Sequence, residues 1–411
     1  MRMAKRDNIV VGLDIGTTKI CAIVGEKTKD GVEIIGIGTT PSKGLRKGVV
    51  VNIESTVDSI KKAIEEAELM AGCEINRVYC GIAGGHIKAF NSHGVIAIKN
   101  REITKADIDR VIEAAQAVVI PPDREVIHVI PQEYIVDDHE GIQEPLGMIG
   151  MRLEVKVHIV TAAVTSAQNI IKCANKAGLD VADICLQQIA SSEAVLNADE
   201  REIGVVLVDI GGGTTDIALY HGGTIKYTTV ISLGGNQVTG DLSVGLRTTS
   251  NEAEKIKKQW GCAMTAMVSR DDTLEVQSVG GGKTRTVSRF MLSEIIEPRV
   301  EEIFQLVQRE IMKSGYDSLV SSGVVLTGGT AALEGAPELA EQVFDLPVRK
   351  GLPMGITGLT DVVNGPMYST GVGLVQYGGR HISGTQFHRG GESNLFGKLT
   401  TRMGKWVKEF F

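Results

Sequence analysis

One stretch of this chain is written twice. Val11-Gly12-Leu13-Asp14-Ile15-Gly16-Thr17-Thr18-Lys19-Ile20 is answered by Leu207-Val208-Asp209-Ile210-Gly211-Gly212-Gly213-Thr214-Thr215-Asp216-Ile217. Each copy runs from an apolar strand into an aspartate, a glycine turn, two threonines and a second apolar strand. The first copy begins at 11 and the second at 207, 196 residues apart in a chain of 411. That spacing predicts two similar lobes built on one plan. A second echo agrees: VYCGIAGG at 78–85 resembles VVLTGGTA at 324–331. At about 150 residues per domain the length allows two or three domains.

The patterning between the repeats is that of an α/β protein, with short apolar runs alternating with helical spacing. Strands are expected at 10–13, 78–82, 204–209 and 324–327. Helices are expected at 55–71 (Ser55 as N-cap, Gly72 as stop), 104–118, 165–177, 249–260 and 288–313. From 378 to 394 the apolar content nearly vanishes and a linker is predicted. The charge of -7 argues against nucleic acid as a partner of the bulk surface. The six cysteines form no CxxC pair and no zinc spacing, so they read as reduced core thiols.

Glycine is the compositional outlier, with 49 residues. Glycine turns between strands leave backbone N–H groups free to converge on an anion, because no Cβ blocks the approach. Threonine hydroxyls add donors, and Lys19 adds a charge that pairs with phosphate. Asp14 and Asp209 would repel phosphate unless a divalent cation lay between, which implies Mg²⁺ held through water. The alternative for each turn is a tight hairpin whose aspartate caps it; two copies at matching positions favour a polyphosphate clamp. Gly280-Gly281-Gly282-Lys283-Thr284 imitates a P-loop but has Gln277 where the first glycine is needed.

Together these motifs resemble the actin-like ATPase superfamily over about residues 8–378. The resemblance implies a two-lobed actin-like fold of duplicated ribonuclease-H-like lobes that binds ATP and Mg²⁺. Carried over by position, the first phosphate motif is Asp14, Gly16, Thr17, Thr18 and Lys19. The second is Asp209, Gly211, Gly212, Gly213, Thr214 and Thr215, and the adenosine motif is Gly328, Gly329 and Thr330. Gly235 joins the ATP set, as do Glu254 and Lys257, whose spacing puts both on one helix face; a plain surface salt bridge is the other reading of that pair. Gln187 stands where relatives orient the attacking water, so the catalytic set that the resemblance implies is Asp14, Gln187 and Asp209. A neutral amide positions water but is a poor base, so ATP is expected to act as a polymerisation switch with at most slow hydrolysis.

Within the superfamily the chain is similar to the FtsA family of bacterial division proteins. NSHGVIAIKNREIT, VIPQEYIVDD and PLGMIGMRLEV resemble that family's inserted 1C subdomain, and TVISLGGNQVTGDLSVG with NEAEKIKKQWG resembles its subdomain 2B. The implied division of the chain is lobe 1 at 1–83 and 163–203, subdomain 1C at 84–162, lobe 2 at 204–228 and 301–378, and 2B at 229–300. A linker at 379–394 and an amphipathic helix at 395–411 follow. The implied partners are the C-terminal peptide of FtsZ through 2B, further copies of the chain, and later division proteins through 1C. A pilus-assembly actin homologue or a small-molecule kinase of the same superfamily is the alternative.

The last segment argues for itself. At 100° per residue, Leu395, Phe396, Leu399, Met403, Trp406, Val407, Phe410 and Phe411 gather on one side. Lys398, Arg402, Lys405 and Lys408 fall on the other. Four basic residues opposite aromatic ones make the profile of a helix lying in the plane of an anionic membrane. The profile predicts peripheral membrane binding, and the family resemblance implies the cytoplasmic side of the inner membrane at the septum.

Overall fold

Residues 10–15 and 20–24 are apolar at nearly every position, the pattern of strands covered on both faces. In the computed structural model, which describes residues 8–29, 31–278 and 284–381, they form the antiparallel pair Ile9–Ile15 and Lys19–Thr28, with Asp14 opposite Cys21. Gly31–Pro41 continues the meander. On the other side of Ile9–Ile15 lie two parallel strands, Arg77–Ile82 and then Asp180–Leu186.

Lobe 2 repeats this arrangement strand for strand. Val205–Ile210, Thr215–His221 and Thr224–Ile231 form the antiparallel meander, and Val324–Thr327 and Val348–Lys350 add in parallel beside the first strand. The two sequence echoes fall on equivalent strands, so the duplication is one of fold. Ile356–Gly358, which follows the last lobe 2 strand, returns to pair with Gly31–Pro41 at the edge of lobe 1.

Two helices pass between the lobes, Gln187–Val195 and Ser369–His381. They cross very closely. A Cβ on Gly373 would lie 1.7 Å from the Ala190 carbonyl oxygen, so only glycine fits there. The second helix packs on Ile9–Ile15, and the linker expected from 378 or 379 therefore begins later. Gly378 and Gly379 are buried within the helix, and a Cβ on Gly378 would meet Val10 and the Tyr79 ring. These glycines serve packing, which composition alone reads as loop. Arg380 then pairs with Glu193 of the other inter-lobe helix at 2.5 Å.

The insertion is a separate layer with its own core. Lys88–Ala97, Arg152–Ala163, Arg124–Val136 and His139–Ile142 form an antiparallel sheet, covered by the helix Lys105–Gln116. Ile103, Val111, Tyr134 and Leu153 are buried between them. Beyond the lobe 2 meander come Gly235–Gly245, Ser250–Trp260 and the long helix Arg289–Ser314, which contains Pro298. The helix expected from Ser55 starts at Ile53; Asn52 is the N-cap, and its side chain accepts from the Ser55 N–H. Cys21, Cys80, Cys173, Cys185 and Cys262 are buried, and Cys73 is partly buried. Among the described residues no helix is long and apolar enough to cross a membrane. The segment 395–411, the rest of the linker and Gly280–Lys283 lie outside the described residues.

Candidate functional site

The two repeated turns close in the same way. The Gly16 N–H donates to the Lys19 carbonyl at 3.0 Å, and the Gly211 N–H donates to the Thr214 carbonyl at 2.9 Å. The turns then face each other across the cleft and interlock. A Cβ on Gly212 would lie 2.3 Å from Thr18 Cγ2, and one on Gly213 would lie 2.7 Å from Thr17 Oγ1. None of these turn glycines has left-handed φ. Their smallness, rather than their backbone freedom, is what the site uses. Among the described residues the N–H groups of Thr17, Thr18, Gly212 and Gly213 find no acceptor. Unpaired N–H groups on two facing turns are what an anion requires.

Beneath the turns lie the carboxylates. Asp14 is 7% exposed and accepts from Gln187 Nε2 at 2.9 Å. Burial pushes its carboxyl up to about 6; Lys19 opposes the shift and Asp209 adds to it. Asp209 is also raised by burial, against hydrogen bonds from Ser191 Oγ at 2.6 Å and Thr370 Oγ1 at 3.2 Å. Asp216 is raised further, by burial and then by Asp209; it accepts from Thr214 Oγ1 at 3.0 Å. Three buried carboxylates from two lobes cannot all ionise cheaply without a cation. Among the described residues no cluster of three or more His, Cys, Asp or Glu side chains is placed to hold a metal. A cation at Asp14 and Asp209 would therefore complete its shell from phosphate and water, as the fit of this donor set to Mg²⁺ allows.

The lobe 2 residues converge from the other side. A Cβ on Gly328 would meet Asp209 Oδ1 at 2.3 Å, and Thr330 Oγ1 donates to the Gly211 carbonyl at 3.1 Å. Gly235 packs against Thr330, and its carbonyl accepts from Lys257 Nζ at 3.1 Å. Lys257 also pairs with Glu254 at 2.7 Å, and both contact Thr239. The pair is therefore built into this wall and is more than a surface salt bridge. Its ammonium is held below the usual lysine range by burial, against the pull of Glu254.

Two predicted residues are occupied elsewhere. Lys19 Nζ donates to the Met367 carbonyl at 2.6 Å and sits 4.3 Å over the Tyr368 ring. Thr215 Oγ1 donates to the Leu233 carbonyl at 3.0 Å and secures the strand behind the turn. Gly329, beside Thr330, is open: a Cβ there would meet only Met367, at 3.8 Å. Ser191, Thr370 and Asp216 were not expected at the site. Ser191 and Thr370 lie in the two inter-lobe segments, and only their crossing brings them to Asp209.

A family model described as cell division protein FtsA matches residues 206–373. Another, described as an SHS2 domain inserted in FtsA, matches residues 84–161. The cell division protein FtsA of Pseudomonas aeruginosa is 55% identical over 379 residues, covering 92% of this chain and 91% of that protein. Among solved structures, the PilM–PilN type IV pilus biogenesis complex aligns with a TM-score of 0.67 at 16% identity, over 90% of this chain and 98% of that one. MreB5 of Spiroplasma citri bound to ADP aligns at 0.55 and 14%, over 92% and 99%. These two share the actin-like fold.

Proposed function

Because the chain belongs to the FtsA family of bacterial cell division proteins, we propose that it is an ATP-binding, self-associating adaptor tying the FtsZ ring to the cytoplasmic membrane. Its family places it in division. The observation that carries the nucleotide is the interlocked pair of turns, with unpaired N–H groups above buried, proton-hungry carboxylates. MreB5, bound to ADP in its own structure, has the same fold.

Thr17, Thr18, Gly212 and Gly213 would hold phosphate through their N–H groups. Asp14 and Asp209 would hold Mg²⁺, and Gly235, Glu254, Lys257, Gly328, Gly329 and Thr330 would wall the adenosine. Bound Mg²⁺ supplies charge neutralisation to phosphate. Gln187 donates an amide N–H to Asp14, which leaves its carbonyl oxygen free to orient a water that the neutral amide is too weak a base to deprotonate. Hydrolysis is accordingly slow, and ATP acts mainly by holding the lobes together.

In this reading, residues 229–300 receive the FtsZ C-terminal peptide, and 84–162 contact other copies and later division proteins. Residues 395–411 lie on anionic lipid. Each basic residue at such a surface contributes about 1 kcal/mol, so one tail is marginal and a polymer binds by avidity. The test is co-sedimentation with phosphatidylglycerol vesicles in the presence of fluorescent FtsZ peptide. Full-length protein should carry the peptide into the pellet, and a chain ending at His381 should leave both in solution. Pelleting of the shortened chain, or a peptide left behind by the full chain, overturns the adaptor.

A further inference from the structure

The insertion reaches toward the nucleotide cleft through a histidine. Leu186 ends the strand Asp180–Leu186, at the edge of the lobe 1 sheet, and is the N-cap of the first inter-lobe helix, Gln187–Val195. Its backbone N–H donates to Nε2 of His128, on the inserted strand Arg124–Val136, at 2.9 Å. The next residue is Gln187, whose amide donates to Asp14 at 2.9 Å. On the reading that ATP fills the cleft, we propose that His128 is a positioning residue for Gln187, so that the placement of the insertion sets how fast bound ATP is hydrolysed.

Gln187 is aimed from three directions. Its amide meets Asp14, and its side chain rests on Gly81, where a Cβ would lie 3.0 Å from Gln187 Cγ. The third constraint is the start of its own helix. No side chain caps that start, and the Leu186 N–H, on a fully buried residue, has His128 as its acceptor. A buried N–H stripped of its acceptor is costly to leave unpaired. Without His128, Leu186 would turn toward another acceptor and carry the neighbouring Gln187 with it. A water-orienting group displaced by even about 1 Å loses most of its effect on rate.

His128 is itself held in place. It is buried, and Tyr377 of the second inter-lobe helix packs edge-on against its ring with centroids 6.5 Å apart. The Tyr377 hydroxyl donates to Asp183 Oδ2 at 3.0 Å, in the same strand as Leu186. Accepting through Nε2 puts the ring proton on Nδ1. One side chain of the insertion thus meets the start of the first inter-lobe helix and the flank of the second.

The insertion is also fastened to lobe 2, so its placement follows both lobes. Gln132 Nε2 donates to the Ile225 carbonyl at 2.8 Å, and His158 Nε2 meets Thr228 Oγ1 at 2.9 Å. Both partners lie in Thr224–Ile231, whose Ile231 stands opposite Thr215 beside the second glycine turn. The insertion therefore touches each lobe at an element that ends in the cleft. A protein bound to the insertion that shifted Arg124–Val136 would shift Gln187 through His128 and change the rate of hydrolysis.

The test is single-turnover hydrolysis of Mg-ATP by the full chain, with affinity for a fluorescent ATP analogue measured alongside. His128→Asn, whose amide stops near the position of Nδ1, and His128→Leu both remove the acceptor. Each should slow hydrolysis about tenfold while leaving analogue affinity within about threefold. His128→Gln, which brings an acceptor to the position of Nε2, should recover most of the rate. In a chain already carrying Gln187→Ala, His128→Asn should slow hydrolysis no further. An unchanged rate in the loss variants, an equal fall with and without Gln187, or a loss of affinity in place of rate would overturn the proposal. A parent chain that binds the analogue without turning over ATP would overturn it too and leave nucleotide binding standing. A parent chain that binds no ATP would remove the nucleotide reading as well.

Discussion

Replacing Asp14 by asparagine should stabilise the nucleotide-free protein while destroying its response to nucleotide. Asp14 is almost fully buried, and burial, partly offset by Lys19, raises its carboxyl from 3.8 to about 6. The sign is unusual for an aspartate. The folded chain keeps the proton up to about pH 6, whereas the unfolded chain releases it near 3.8. Ionisation therefore costs stability as pH rises through that window, and the full cost stands above it. A shift of about two units at 1.36 kcal/mol each is a cost of about 3 kcal/mol at neutral pH. Asparagine resembles the protonated carboxyl, keeps the oxygen that accepts from Gln187, and carries no charge. Urea unfolding at pH 7.5 without nucleotide should give Asp14→Asn an advantage of about 2–3 kcal/mol, shrinking to less than half at pH 4.5. Mg-ATP should stabilise the parent chain and leave the variant unmoved. A variant equally or less stable at pH 7.5, with no pH dependence in the difference, would refute the idea that Asp14 is a strained buried anion awaiting a cation.

Other outcomes follow from the same contacts. Mg-ATP affinity of the parent chain should fall as pH drops through about 6, where Asp14 takes up its proton; calorimetry across pH 5–8 measures it. Gly212→Val would drive a side chain into Thr18 and wedge the turns apart, so binding of a fluorescent ATP analogue should weaken by at least tenfold while far-ultraviolet circular dichroism is unchanged. Gly373→Ala would place a methyl against the Ala190 carbonyl at the helix crossing; thermal unfolding should show a loss of about 3 kcal/mol or more. Truncation after Gly379 should cost stability that truncation after His381 does not, because only the former removes Arg380 from Glu193.

Much of this architecture was legible because it is carried by local patterning. The repeated turn marked both lobes, and the strand Val324–Thr327 falls where its apolar run places it. The equivalence of Arg77–Ile82 with that strand was visible in two glycine-rich echoes. The site was legible where it is contiguous in sequence. Ser191 and Thr370 were hidden because they reach Asp209 only through a close crossing of two helices from distant parts of the chain. Lys19 was assigned by its charge, yet its position over Tyr368 depends on the 366–368 turn folding back from lobe 2. The linker boundary misled for a related reason: glycine in a polar stretch reads as coil, whereas Gly378 is the contact that lets a helix lie on Tyr79.

The central claim is that one nucleotide is held by both lobes, with Asp14 from the first and Asp209 from the second sharing its cation. Isothermal titration of ATP into the full chain, with and without Mg²⁺, tests it most directly when repeated on Asp14→Asn and Asp209→Asn. The account predicts one site per chain, strong dependence on Mg²⁺, and loss of that dependence in either single variant. Binding that ignores Mg²⁺, or that survives both substitutions unchanged, would contradict it.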